Sequence, residues 1–297
     1  MAIRNPVEWG VDHWRGWSHA VGTAGRAAYR REEDAASLLP AVRRIGIADL
    51  GEALKRGIDD FMACRTDVIF LAIVYPVAGL ILSQVIFGRD LLHLLFPLVS
   101  GFALLGPFAA VGLYAMSRRR EEGEAVSWSD AFRVTGSPSF GGVMALGLVL
   151  TAVFLLWLLA AWGIHAATLG PEPPASLGTL LDAVFTTRAG WTMLVVGMGV
   201  GFLFALLVLT ISVVSFPLLI DRRASVGTAI RVSARAVALN PVPMAAWGLV
   251  VAGALVAGTL PLFVGLIVVM PVLGHATWHL YRRVLPRGPI DRPFGRV

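Results

Sequence analysis

Six long apolar stretches, at residues 68–87, 94–116, 143–165, 191–220, 245–260 and 261–281, contain no Asp, Glu, Lys or Arg between them. Crossing the hydrocarbon core of a bilayer takes about 20 apolar residues at helical rise. An ionised side chain at the centre of such a helix costs about 2.5–3.5 kcal/mol on insertion scales. A clean exclusion of charge over this length therefore restricts the chain to a membrane fold. The last two stretches abut at Thr259-Leu260-Pro261 and read as a hairpin with a minimal turn.

The charges between the stretches give the orientation. Placing the first residues on one side puts 23 of the 25 Lys and Arg residues on that side. Only Arg89 and Arg188 fall on the other. The positive-inside rule then places both termini in the cytoplasm. Reporter fusions at Gly123 and at the C-terminus are expected to read as cytoplasmic, and one near Pro173 as external. The wider composition agrees: 57% of residues are hydrophobic and 15% charged, against about 25% charged in a soluble domain. The net charge of +6 belongs to short loops beside spans, where anionic lipid is the natural counterpart. It is not a nucleic-acid signature.

The pattern predicts an all-α, polytopic protein with six transmembrane helices arranged as three hairpins, each preceded by a cytoplasmic amphipathic helix. Residues 1–46 form an N-terminal extension, 47–284 the membrane domain and 285–297 a basic cytoplasmic tail. In the extension, Asn5-Pro6-Val7-Glu8 has the residues of a helix start. Trp9, His13, Trp17 and Val21 then recur on one helical face, and Trp9, Trp14 and Trp17 suit the membrane interface. No secretory signal peptide is visible.

Three helices are expected to introduce the hairpins. The first carries a stripe of Leu50, Leu54, Ile58 and Phe61, with Asp49 as its cap. The second begins in a capping-box spacing, Ser127-Trp128-Ser129-Asp130. The third is capped by Ser225 and stops at Asn240-Pro241. An outer loop, residues 166–190, holds an amphipathic turn with Leu177, Leu180, Leu181 and Val184.

Candidates for chemistry are few. There is no Walker loop, HExxH, CxxC or complete nucleophile motif, and no cofactor is implied. The single cysteine, Cys64, excludes an intramolecular disulfide. His275 and His279 lie at i and i+4 near the inner end of the last stretch, so both rings share a helical face and are the candidate metal ligands. His93 and His165 fall at outer span ends and cannot meet them. Gly197 and Gly201 form a GxxxG, a packing seam for helix backbones in lipid.

The stretches NPVEWGVD, VRRIGIADLGEAL, LFPLVSGFALLGPFAAVGLYAMSRRRE, SWSDAF and VMPVLGHATWHLYRR resemble a family of predicted bacterial inner-membrane proteins of unknown function. Some members carry the label cytochrome c oxidase subunit I. The resemblance implies a six-span fold and no established activity. The label implies haem and copper held by histidines on several helices, and this chain lacks that set. Three functions follow as expectations: a non-catalytic accessory or assembly protein of another membrane complex, a permease for a neutral or apolar solute, or a haem- or metal-binding membrane protein. The expected partners are the lipid bilayer and a second membrane complex.

Overall fold

The computed structural model describes residues 40–72, 92–222 and 224–286, with isolated positions between 73 and 91. Tertiary contacts divide the chain into Met1–Pro40 and Ala41–Val297, and the architecture below belongs to the second unit. Trp9, Trp14 and Trp17, the helix start at residues 5–8 and most of the basic tail lie outside the described residues, as does most of the first apolar stretch.

The described residues are helical, with no strand. In chain order the α-helices are α1 (Ile47–Ala72), α2 (Leu95–Ala109), α3 (Val111–Glu121), α4 (Phe140–Thr168), α5 (Leu177–Thr186), α6 (Arg188–Ser212), α7 (Ser215–Asp221), α8 (Val226–Leu239), α9 (Pro241–Thr259) and α10 (Leu266–Val284). Short 3-10 segments occupy Leu92–Leu94 and Trp128–Gly136. Among the described residues, three helical lengths are long and apolar enough to cross a membrane: Phe140–Thr168, Arg188–Asp221 and Pro241–Thr259.

The outward faces of these helices are apolar, with Leu155, Leu159, Phe202, Leu203, Leu249 and Val256 all exposed. In water such faces would form large aggregation-prone patches; a bilayer solvates them. Their hydroxyls turn inward on the helix itself. Thr151, Thr168, Thr210, Ser212 and Thr259 each donate to the carbonyl four residues earlier. Lipid offers no other partner, so a spanning helix must satisfy its polar groups internally.

Several apolar stretches are broken rather than straight. Residues 94–116 divide at Ala110, just beyond Pro107, whose ring removes a donor from the helix ladder. Residues 191–220 divide at Val213–Val214, ahead of Pro217. The Val214 N–H freed there donates to Ser233 Oγ on α8 at 3.3 Å.

Between α9 and α10 the turn is longer than the minimal one expected. It takes residues 260–265, with Leu262 and Phe263 at φ 51° and 65°. Gly258 and Gly265 face each other across it, so closely that a Cβ at Gly265 would lie 2.8 Å from the Gly258 backbone.

Of the three expected helix starts, the one at Ser225 holds as read. Ser225 Oγ accepts from Thr228 N, and α8 ends at Asn240. Ser176 and Thr179 form a reciprocal capping box at α5. Asp130 accepts from Ser127 N at 2.8 Å, but the segment that follows is a 3-10 helix. For α1, Asp49 is not the cap but the third residue of the helix. It sits inside the first turn and reaches back to Gly46 N at 2.9 Å.

The buried stripe of α1 is also rotated from the expected one. Leu50, Ala53, Gly57, Asp60 and Phe61 point inward, whereas Ile58 is 44% exposed. The inward face therefore sets two small residues, Ala53 and Gly57, and a carboxylate between Leu50 and Phe61. Small side chains let two helix backbones approach closely, and that gain in contact outweighs the extra apolar area of Ile58.

Candidate functional site

The site is assembled by close helix crossings. A Cβ on Gly57 would lie 2.6 Å from the backbone of Ala276, so α1 and α10 touch main chain to main chain. On another face of α10, a Cβ on Gly274 would lie 2.6 Å from the Leu113 side chain of α3. These two glycines draw α1, α3 and α10 together. One turn beyond Gly57, Asp60 is thereby carried into the space between the three helices.

Asp60 is the hub. Its Oδ2 accepts from Ser117 Oγ at 2.6 Å and pairs with His279 Nε2 at 2.9 Å. Its Oδ1 accepts from Arg120 Nη1 at 2.8 Å. Ser117 Oγ also lies 2.7 Å from His275 Nδ1. The two histidines therefore do share a face, as the i, i+4 spacing requires, but each directs one nitrogen at a different oxygen. The described residues contain no group of three or more His, Cys, Asp or Glu side chains placed to hold a metal ion. His275 is 1% exposed, and its Nε2 has no hydrogen-bond partner.

Burial works against ionisation of Asp60, but hydrogen bonds from His279 and Ser117 and the nearby histidines outweigh it. They hold its carboxyl below the ordinary range. A folded-state value below the unfolded one means the stabilisation is complete above the unfolded value, about pH 3.9. It is lost as pH falls through the lower folded value. Acid unfolding of wild type should thus show a carboxylate-dependent loss below about pH 4, and Asp60→Asn should lack that component at a lower overall stability. Unfolding midpoints measured across acid pH check this.

A second network occupies the next face of α10. Arg282 makes a bidentate pair with Asp221 of α7, at 2.8 and 3.0 Å, and its Nε donates to Glu121 of α3 at 2.9 Å. Tyr281 donates to Asp221 Oδ2 at 2.6 Å, and Trp278 Nε1 donates to Glu121 Oε2 at 3.1 Å. The guanidinium also stacks 4.8 Å from the Trp278 ring centre. Burial disfavours the charged guanidinium, yet the two carboxylates more than restore it. On the third face, Arg283 pairs with Asp49 and Glu52 of α1.

Neighbouring residues repeat the pattern. Arg119 pairs with Glu124 and Asp130, and Arg118 with Glu122. Asn240 adds a neutral clamp: its Oδ1 accepts from Ile45 N and its Nδ2 donates to the carbonyls of Arg43 and Ala236.

Other sequence candidates find separate places. His93 and His165 meet each other, with ring centres 4.9 Å apart, away from the His275 cluster. Within the GxxxG, a Cβ on Gly201 would touch the Trp157 ring at 3.1 Å, while one on Gly197 would meet nothing within 4 Å. Only half of that motif packs within the described residues. Asp60, Ser117, Glu121 and Asp221 are the residues that sequence reasoning missed. A signal for Asp60 was present in Ala53, Gly57 and Asp60, spaced i, i+4, i+7 on the side opposite Ile58.

Residues 95–221 match the model of a family described as predicted integral membrane proteins, DUF2189. The family has no known function. The match covers α2 to α7 and so includes Ser117, Arg120, Glu121 and Asp221, while Asp60, His275, His279 and Arg282 lie outside it. No curated protein and no solved structure matches the chain.

Proposed function

We propose that this integral membrane protein is a six-span, three-hairpin protein of the bacterial inner membrane with both termini in the cytoplasm. In this reading it serves a non-catalytic accessory or assembly role beside another membrane complex. The observation that carries the reading is how its polar groups are used. Hydroxyls that would line a solute path are engaged locally: Ser212 and Thr210 bond their own helix carbonyls, and Ser100 joins Pro97 O and Trp157 Nε1.

At the basic end, Arg118, Arg119, Arg120, Arg282 and Arg283 each face a carboxylate. Those of Arg120, Arg282 and Arg283 come from other helices. A carrier must exchange two arrangements of its helices around a site. Ion pairs that tie α1, α3, α7 and α10 together oppose such an exchange. The apolar outward faces leave ample surface for lipid and for a second membrane protein.

Purification from native membranes in mild detergent tests the role. The expected result is a stoichiometric complex with one reproducible membrane partner, which survives reconstitution from the separated components. A lone monomer that carries solute into vesicles would overturn it in favour of a permease.

A further inference from the structure

The arginines of this fold divide into two sets. Arg118, Arg119, Arg120, Arg282 and Arg283 are neutralised by carboxylates of the protein itself. Arg43, Arg44 and Arg235 are exposed, and among the described residues their guanidinium groups have no ion pair and no hydrogen bond.

The fold gathers these three at one corner. α8 turns Thr228, Ala229, Val232, Ser233 and Ala236 into the bundle, which leaves Arg235 on the outward face. Asn240 closes the helix five residues later, about 7.5 Å of helix rise. Its side chain clamps the Arg43 carbonyl at 3.2 Å and the Ile45 N–H at 2.8 Å. Arg43 N also donates to Val284 O at 2.9 Å, so the segment is fixed from two sides. Arg43 and Arg44 are thereby held beside the end of the helix that carries Arg235.

Lipid-facing surface begins at the same corner. α9 starts at Pro241, directly after Asn240, and exposes Val242, Leu249 and Val256 along one stripe at i, i+7 and i+14. Ile47, at the start of α1, is exposed too, and α1 touches α9. Cations therefore stand at the head of an apolar stripe on a helix long enough to cross a membrane. A phospholipid has the same polarity, with phosphate at one end and acyl chains at the other. Guanidinium groups bind phosphate oxygens through paired hydrogen bonds, which suits them to that headgroup.

We propose that the α8–α9 corner is a binding site for an anionic phospholipid. Arg43, Arg44 and Arg235 take the headgroup phosphate, and the acyl chains lie along Val242, Leu249 and Val256. Asn240 fixes where two of the three cations stand. A soluble phosphate would gain only the charged half of these contacts. The site is independent of the accessory role, since it needs only the bilayer.

Native mass spectrometry of the full chain tests the site. The protein is released from phosphatidylcholine micelles that contain phosphatidylglycerol with the same acyl chains. Wild type is expected to keep a phosphatidylglycerol in preference to phosphatidylcholine. Arg44→Gln with Arg235→Gln should weaken that retention on the order of 30-fold, the effect of two basic residues at a membrane surface. Arg56→Gln with Arg133→Gln removes the same charge from arginines that pair with Glu52 and Asp130, and should leave retention unchanged. All four side chains are exposed, so neither pair of changes disturbs the packed core.

Equal retention of the two lipids by wild type would overturn the proposal. Equal losses in the two arginine pairs would reduce the effect to net charge and overturn it too. Displacement of the lipid by glycerol 3-phosphate would assign the corner to a soluble phosphate and contradict the lipid site.

Discussion

Gly57→Leu is expected to unseat α1 and to be the most damaging single substitution in the described residues. Its Cβ alone would enter the Ala276 backbone, which, unlike a flexible side chain, cannot swing aside. Overpacking of a tight contact costs about 1–3 kcal/mol. The displacement would also draw Asp60 away from Ser117, His279 and Arg120. Breaking a buried charged group from its partners costs about 3–5 kcal/mol. The two costs are coupled, so a loss near the larger figure is expected rather than their sum. Reversible unfolding in mixed micelles measures it. Gly51→Leu, at a position with nothing within 4 Å, is the control and should be mild.

The Asp221–Arg282 pair gives the second large effect, and its sign depends on how it is broken. Both side chains are about one-tenth exposed. Asp221→Leu leaves a buried guanidinium with Glu121 as its remaining carboxylate and removes the acceptor of Tyr281. A loss of about 3 kcal/mol is expected, the low end for breaking a buried pair because Glu121 stays. Adding Arg282→Met removes the stranded charge, and the double variant should recover most of the stability. Recovery will be incomplete by about 0.5–2 kcal/mol, because the cation over Trp278 is also lost. Unfolding midpoints of both variants in one detergent check the ordering.

Much of this architecture was legible in the sequence. Long charge-free stretches dictate membrane helices because the cost of an ion in lipid is large and local. The helix start at Ser225 was readable because capping is decided within about four residues. The placement of His275 and His279 on one face followed from helical periodicity alone.

What surrounds the two histidines was not readable. Asp60, Ser117 and His275 are separated by 57 and 158 residues along the chain. Only the crossing of α1, α3 and α10 brings them together, and that crossing depends on glycines that hydropathy scoring ignores. The basic clusters were misjudged for a related reason. Counting Arg residues by side gives orientation, but it treats Asp60, Glu121 and Asp221 as incidental. In the fold those carboxylates, each from a different helix, meet Arg120 or Arg282. The same rule that keeps charge out of the bilayer concentrates both signs at its edge, where they can lock helices together.

Asp60 and Ser117 act as one coupled unit that fastens α1 to α3 and α10. A double-mutant cycle with Asp60→Asn, Ser117→Ala and the double variant, read as unfolding free energies in one detergent at neutral pH, tests it most directly. Members of one buried network couple by about 0.5–3 kcal/mol, and a coupling of at least about 1 kcal/mol is predicted here. Losses that add to within about 0.5 kcal/mol would contradict the account.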